Sequence, residues 1–135
     1  MLYAVDTSVA VPLLIRTHTD HQPVLRWRRG KQLTLAGHTI AETYSVLTRL
    51  PVDTRLSPDD VATAIDRAFP ERRGLPTKTW AHLPETLSRS GVAGGAVYDA
   101  LVGVAALSAN LPLATRDARA VATYRRLGVT VEVVS

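Results

Sequence analysis

Short apolar stretches alternate along the chain with longer segments that mix apolar and polar residues, a pattern typical of proteins with alternating strands and helices. Strands are predicted for the apolar stretches at 2–6, 32–37, 111–115 and 129–134, with another short strand near 75–79. Helices are predicted for the segments at 8–16, 19–29, 38–50, 57–69, 80–90, 94–110 and 117–128.

Local signals mark some helix boundaries. Ser57 can cap a helix and Pro58 suits its first position, so the segment SPDDVATAIDRAF has a clear start. Gly128 is a natural helix end. Pro12 fits the first predicted helix only if it lies in the first turn, because a later proline removes a backbone hydrogen bond.

The order of these elements predicts the α/β class, with a parallel sheet covered by helices on both faces. Active sites in such sheets lie beyond the carboxyl ends of the strands, where the strand order changes direction. Two acidic residues, Asp6 and Asp117, directly follow predicted strands. These two positions are therefore the first candidates for a functional site.

Composition narrows the compartment and the partner. The 135 residues are expected to form one domain spanning residues 1–135. The chain has no cysteine, which excludes disulfides and thiolate zinc sites and favours a cytoplasmic location. No apolar run reaches membrane-spanning length and no leader pattern opens the chain, so we expect no membrane partner. The net charge of +4 and pI near 10.0 favour an anionic partner, with nucleic acid first.

Asp99 is the most unusual acidic residue, because it interrupts the apolar segment AVYDALVGVAAL. An unpaired carboxylate on such a face is costly, and no lysine or arginine lies within the predicted helix to pair with it. Asp6 ends an apolar strand. It can act as a helix cap, but Thr7 or Ser8 can do so equally well.

Two further carboxylates have ordinary explanations when each is taken alone. Glu42 fits an ordinary glutamate on a helix surface. Asp117 fits the N-cap of the following helix, a role for which Thr115 can compete. Together, however, Asp6, Glu42, Asp99 and Asp117 can meet at one edge of a parallel sheet. Their mutual repulsion then needs a hard divalent cation, Mg²⁺ or Mn²⁺, which prefers carboxylate and water oxygens. The histidines show no zinc-binding spacing.

A divalent cation among carboxylates suits phosphoryl chemistry, because it stabilises charge on the phosphate and activates water. One carboxylate can serve as the general base. In a basic protein this arrangement indicates a nuclease.

The acidic pattern resembles that of the PIN-domain ribonucleases, and within them the VapC toxins of bacterial toxin–antitoxin modules. The resemblance covers essentially the whole chain and rests on four stretches in order: VDTSV, AET, GGAVYDALVGVAA and LATRDAR. It maps the acidic motif of the family onto Asp6, Glu42, Asp99 and Asp117, with the metal held by the three aspartates. The hydroxyl positions of the family correspond to Ser8 and Thr115.

The resemblance implies a three-layer α/β/α fold with a central parallel sheet. It also implies Mg²⁺- or Mn²⁺-dependent cleavage of a structured RNA such as tRNA or rRNA, homodimerisation, and neutralisation by a cognate VapB-type antitoxin. Many relatives carry a basic residue just after the two glycines, where this chain has Ala96. The resemblance therefore does not extend to an RNA contact at that position.

A second basic feature is the segment RWRRGK, which places Arg26, Arg28, Arg29 and Lys31 around a tryptophan. Its cations can bind RNA phosphates, or can simply lie at the negative end of a helix dipole. For Trp27 we favour packing in the core over base stacking.

Two alternatives compete with the nuclease interpretation. Haloacid-dehalogenase-like phosphohydrolases open their site with DxDx[TV], and Ser8 stands where the second Asp is required, which disfavours them. The other alternative is a PIN-fold module that binds RNA or a partner without cleaving it, and the complete acidic set argues against it.

Overall fold

Five short parallel strands form the centre of the computed structural model, which describes residues 1–135. The strands are β1 Leu2–Val5, β2 Gln32–Ala36, β3 Arg72–Arg73, β4 Leu113–Thr115 and β5 Val131–Val133. Their order in the sheet is β3-β2-β1-β4-β5, and every neighbouring pair is parallel. The predicted central parallel sheet is confirmed.

Eight α-helices and one short 3₁₀ turn connect the strands. The helices are α1 Thr7–Leu14, α2 His21–Arg28, α3 His38–Thr48, α4 Pro58–Ala68, α5 Thr77–Ala81, α6 Leu83–Arg89, α7 Ala96–Ser108 and α8 Ala118–Arg126, and the 3₁₀ turn is Val52–Thr54. Ser57 caps α4 as expected, with its hydroxyl accepting from the Asp60 amide at 3.2 Å. None of these helices is both long and apolar enough to span a membrane.

Alternation along the strands divides the core into two layers. Ala4, Ala36 and Leu113 pack with the buried residues of α7 and α8 on one face of the sheet. Their strand neighbours Val5 and Ala114 pack on the other face with residues of α1, α2, α3 and α4. Successive side chains on a strand point to opposite faces, so both faces must be covered. The α/β/α arrangement is therefore confirmed.

The strand order reverses direction between β1 and β4, where the Asp6 amide donates to the Ala114 carbonyl at 3.3 Å. This is the switch point at which ligands of such sheets bind. Asp6 follows β1 here, and Thr115 ends β4 beside it.

Two predicted elements are wrong. The strand expected near 75–79 lies earlier in the chain, as β3, Arg72–Arg73. It pairs through its backbone with Leu35 and Ala36 at the edge of the sheet, so its own sequence shows no apolar pattern. The helix expected over 80–90 is two helices, α5 and α6. The break falls at His82, and Pro84 lies in the first turn of α6, where a proline needs no amide hydrogen.

Pro12 lies in the interior of α1 and not in its first turn, so that expectation is also wrong. Its ring is buried in the core, and the helix ends two residues later at Leu14. The Pro12 carbonyl lies 2.8 Å from Nδ1 of His21, which links α1 to α2.

Candidate active site

Asp6 is the buried centre of the site, with 5% of its surface exposed. It caps α1, because its Oδ1 accepts from the Ser8 amide at 3.0 Å and from the Ser8 hydroxyl. Its Oδ2 accepts from the Thr115 hydroxyl and from the Tyr124 hydroxyl at 2.8 Å. Burial raises the pKa of Asp6, and these hydrogen bonds oppose that rise. The cap is thus supplied by Asp6 itself.

The hydroxyls of Ser8 and Thr115 connect Asp6 to the turn between β4 and α8. The Ser8 Oγ accepts from the Arg116 amide at 2.7 Å, and the Thr115 Oγ1 accepts from the Asp117 amide at 3.0 Å. The two hydroxyls also lie 3.3 Å from each other. Each therefore joins the carboxylate after β1 to a backbone amide after β4.

Asp99 lies in the first turn of α7, because the helix begins at Ala96. The carboxylate is half-buried and forms no salt bridge. Its pKa is raised by burial first, and then by the negative charges of Asp117, Asp6 and Glu42. The structure therefore brings all four predicted carboxylates into electrostatic contact.

Glu42 and Asp117 line a cleft of about 480 Å³ at this edge of the sheet. Glu42 projects from α3, and its Oε2 lies 3.6 Å from Nε2 of His38 one turn earlier. Asp117 caps α8, with its Oδ1 accepting from the Arg119 amide at 3.0 Å. Asp117 is therefore both the cap of α8, the ordinary role considered for it, and a member of the acidic cluster.

Sequence reasoning missed four side chains at this site. Tyr124 of α8 donates to Asp6, and Asp6 and burial raise the pKa of its phenol. Arg116, Asp20 and His18 line the same cleft as Glu42 and Asp117. Tyr124 carried a usable signal, since it shares an apolar helix face with Ala120 and a buried tyrosine hydroxyl needs a partner.

The basic segment RWRRGK lies at the amino end of the strands, opposite the acidic site, because it leads into the start of β2. Trp27 packs edge-on against Tyr3, and its indole donates to Glu132 at 2.9 Å. The Lys31 ammonium donates to the Trp27 carbonyl at 2.7 Å and lies 5.0 Å from its ring. Trp27 is thus a packed residue, as favoured from the sequence, while Arg26, Arg28 and Arg29 are exposed.

The donor set of the site is made of carboxylate oxygens, which suit a hard divalent cation. The pKa of Asp99 is raised by burial and by the charges of three other carboxylates, and the charge of Arg119 only partly opposes this rise. However, no three or more His, Asp or Glu side chains converge closely enough to form a ready metal cage. The residues therefore fit an ion that binds one or two carboxylates and keeps several waters, as Mg²⁺ does.

Known proteins resemble this chain in sequence and in fold. The model of the PIN domain family matches residues 3–126. The chain belongs to the PIN-domain family. This PIN domain is 52% identical to Ribonuclease VapC27 of Mycobacterium tuberculosis (strain ATCC 25618 / H37Rv), an alignment that covers 98% of the chain and 96% of the relative.

A second relative, Ribonuclease VapC40 of Mycobacterium tuberculosis (strain CDC 1551 / Oshkosh), is 42% identical over 99% of the PIN domain and 100% of its own length. These identities place the PIN domain among the VapC proteins. The crystal structure of VapBC2 from Rickettsia felis, bound to a DNA fragment from their promoter, contains a similar chain with a TM-score of 0.69 at 14% identity, and coverage of both chains is 100%. That likeness supports the fold.

Proposed function

We propose that this PIN domain is a metal-dependent endoribonuclease and the toxin of a type II toxin–antitoxin pair. The observation that carries the proposal is Asp99, a carboxylate whose pKa is raised by burial and by three other carboxylates at the switch point of the sheet. Such a cluster is unfavourable without a cation. The two curated relatives, both called ribonucleases, support RNA as the substrate.

In this proposal Asp6, Asp99 and Asp117 surround the ion, Mg²⁺ or Mn²⁺, and would hold it either directly or through its water molecules. A bound ion would offset charge on the phosphate and activate water for in-line attack. Ser8 and Thr115 fix the orientation of Asp6 through their hydroxyls. Glu42 takes the proton of the attacking water, since it lines the cleft and only its Oε2 faces His38.

The proposed substrate is a structured RNA, tRNA or rRNA, and the proposed inhibitor is a VapB-type antitoxin. The VapBC2 structure supports the antitoxin. A groove of about 620 Å³ between α3 and α4, lined by Ile40, Ala41, Tyr44, Ala62 and Ile65, provides an apolar surface for a partner segment. We also propose a cytoplasmic homodimer of this single 1–135 domain, and the exposed Trp80 and Tyr98 support an interface.

The test is to incubate antitoxin-free protein with total cellular RNA in Mg²⁺, Mn²⁺ or EDTA and to map new 5′ ends. We expect discrete cuts that are abolished by EDTA and reduced at least about a hundredfold by Asp99→Asn. Asp53→Asn makes the same charge change on an exposed turn and should cut normally. Undiminished cutting by Asp99→Asn would contradict the mechanism.

Two observations favour a second candidate, a PIN-fold module that binds RNA or a partner without cleavage. All four hydrogen bonds accepted by Asp6 come from the protein, and no three acids form a ready metal cage. Intact RNA under every metal condition, together with retained RNA binding, would support this alternative.

A further inference from the structure

Arg116 is the one lysine or arginine that lines the acidic cleft. It stands between Thr115 and Asp117 in the turn from β4 to α8, and its amide is fixed by the Ser8 hydroxyl at 2.7 Å. Its side chain is 19% exposed, so the guanidinium is largely removed from bulk water. A buried cation in this position needs a specific explanation.

The two terminal nitrogens of Arg116 have different surroundings. Nη2 pairs with Oδ1 of Asp20 at 3.2 Å. Nη1 is buried and has no hydrogen-bond partner. An unpaired buried donor is unfavourable, and each such group in a folded protein calls for an unseen partner or a functional reason.

Arg116 pairs with one of the three acidic residues that line the cleft. Asp117 is the next residue and Glu42 lines the same cleft, yet Arg116 forms its only salt bridge with Asp20, which lies just before α2. Asp20 thus pairs with one terminal nitrogen of Arg116. The other, Nη1, is bound to no carboxylate of the cleft.

We propose that Arg116 binds a phosphate group of the RNA backbone in the cleft, and that Asp20 is the positioning residue that keeps it available. This inference rests on the proposed function, since the phosphate is that of the RNA to be cut. Guanidinium nitrogens bind phosphate oxygens through charge-assisted hydrogen bonds. An arginine in a cleft lined by Asp20, Glu42 and Asp117 gives the polyanionic substrate an attractive contact where the site otherwise repels it.

The experiment uses the Asp99→Asn protein, so that RNA stays intact, and a labelled stem–loop RNA oligonucleotide chosen independently of any cleavage result. Binding is measured by fluorescence anisotropy over a series of salt concentrations. Adding Arg116→Met should weaken binding about tenfold and reduce the slope of log K against log salt by about one. Arg125→Met removes an exposed arginine from the far end of α8 and should leave the slope unchanged.

A purely structural ion pair would behave differently. In that case Arg116→Met and Asp20→Asn would lower Tm equally, the salt slope would stay at the parent value, and the inference would be overturned. We expect Arg116→Lys, which keeps the charge, to restore the slope while recovering the affinity only in part, because lysine lacks the planar fork.

Failure of the proposed function is separately visible. If the protein with all four acids cuts no RNA in any metal while Arg116→Met still lowers the salt slope, the nuclease proposal fails and the phosphate contact stands. If that protein cuts and Arg116→Met binds with the parent slope, the arginine inference fails and the nuclease proposal stands.

Discussion

At the scale of single residues, the acids of this site are not equivalent. Asp6 is buried, caps a helix and accepts four hydrogen bonds from the protein, which oppose the rise of its pKa on burial. Asp99 is half-buried, has no basic partner, and lies among three other negative charges. Substituting these two acids should therefore change the stability of the metal-free protein in opposite directions.

Asp99→Asn should raise the Tm of the metal-free protein at pH 7, because it removes a charge repelled by Asp117, Asp6 and Glu42. Asp6→Ala should lower the free energy of unfolding by about 1–3 kcal/mol, because it leaves buried donors unpaired. Thermal and urea denaturation in EDTA measure both changes, with Asp53→Asn as the exposed control. A lower Tm for Asp99→Asn would contradict the assigned repulsion.

The effect of Asp99 on stability should depend on pH. Its pKa in the folded protein is raised above the ordinary 3.8, so ionisation disfavours the folded state. Stability contributed by the protonated carboxyl is present below the unfolded pKa and is lost as the pH rises through the folded pKa. The Tm advantage of Asp99→Asn should thus grow from acidic to neutral pH in EDTA and vanish near pH 3. A constant difference would contradict this linkage.

Tyr124→Phe should destabilise the fold by about 1.5–3 kcal/mol, because it removes a buried hydrogen bond to a charged group. It should also raise the pKa of Asp6 further, since one of the donors that favour the ionised form is lost. Urea denaturation measures the first effect. Tyr44→Phe, on the exposed face of α3, is the matched control and should change stability by less than about 0.5 kcal/mol.

Residue patterns predicted the acids, and the family resemblance added Ser8 and Thr115, but neither predicted the contacts made by Arg116 and Tyr124. Asp99 is visible in the sequence because a carboxylate inside an apolar segment is energetically anomalous. The pairing of Asp20 with Arg116 and that of Asp6 with Tyr124 join residues about a hundred positions apart. Such contacts depend on how α2 and α8 pack, which no local pattern contains.

At the scale of elements, Gly37 controls how closely α3 approaches α7. It joins β2 to α3 with a φ of 55°, and a Cβ there would collide with the Leu101 backbone of α7. Glu42 projects from α3 and Asp99 from α7, so this one close approach helps to set the spacing of two acids.

Gly37→Ala should therefore lower stability and nuclease activity together. Gly30→Ala is the matched control, because Gly30 has a φ of 73° but open space where a Cβ would lie. Gly30→Ala carries the cost of a positive φ, about 1 kcal/mol, whereas Gly37, with φ 55° and ψ −128°, has a backbone conformation that residues with a Cβ rarely adopt. Gly37→Ala should lose about 1–3 kcal/mol more, the usual range for overpacking. Equal losses in urea denaturation would mean that the contact with Leu101 contributes nothing.

Elements with strong local signals were predictable and those without were not. The central strands were visible because both of their faces are covered and their sequences are almost wholly apolar. Strand β3 has two arginines at an edge, where backbone pairing is all that defines it. The start of α6 is marked by Pro84 in its first turn, a signal that the broad apolar pattern obscured.

At the scale of the whole molecule, negative and positive side chains gather at opposite ends of the strands. Carboxylates gather at the carboxyl ends of the strands, while the exposed Arg26, Arg28 and Arg29 lie near the start of β2. Under the proposed function, a short RNA in the acidic cleft contacts only the carboxyl ends of the strands. A large folded RNA can also contact the arginines near the start of β2.

Replacing Arg26, Arg28 and Arg29 with glutamine should therefore weaken binding of a folded tRNA-sized RNA and lower its salt slope by up to about three. Binding of a short oligonucleotide at the cleft should change little. Anisotropy titrations with both RNAs, in the Asp99→Asn background, make the comparison. An equal loss for both RNAs, or none for either, would show that this segment is not a second contact for large substrates.

The four hydrogen bonds of Asp6 also bear on how such a site decays over evolutionary time. Loss of Asp99 removes a repelled charge, so a drifting copy of the gene can discard it and still produce folded protein. Loss of Asp6 removes the cap of α1 and leaves the buried Tyr124 hydroxyl without its hydrogen-bond acceptor. Selection for folding alone therefore opposes the loss of Asp6. A silenced descendant of this protein should therefore retain its first aspartate long after it has ceased to cut RNA.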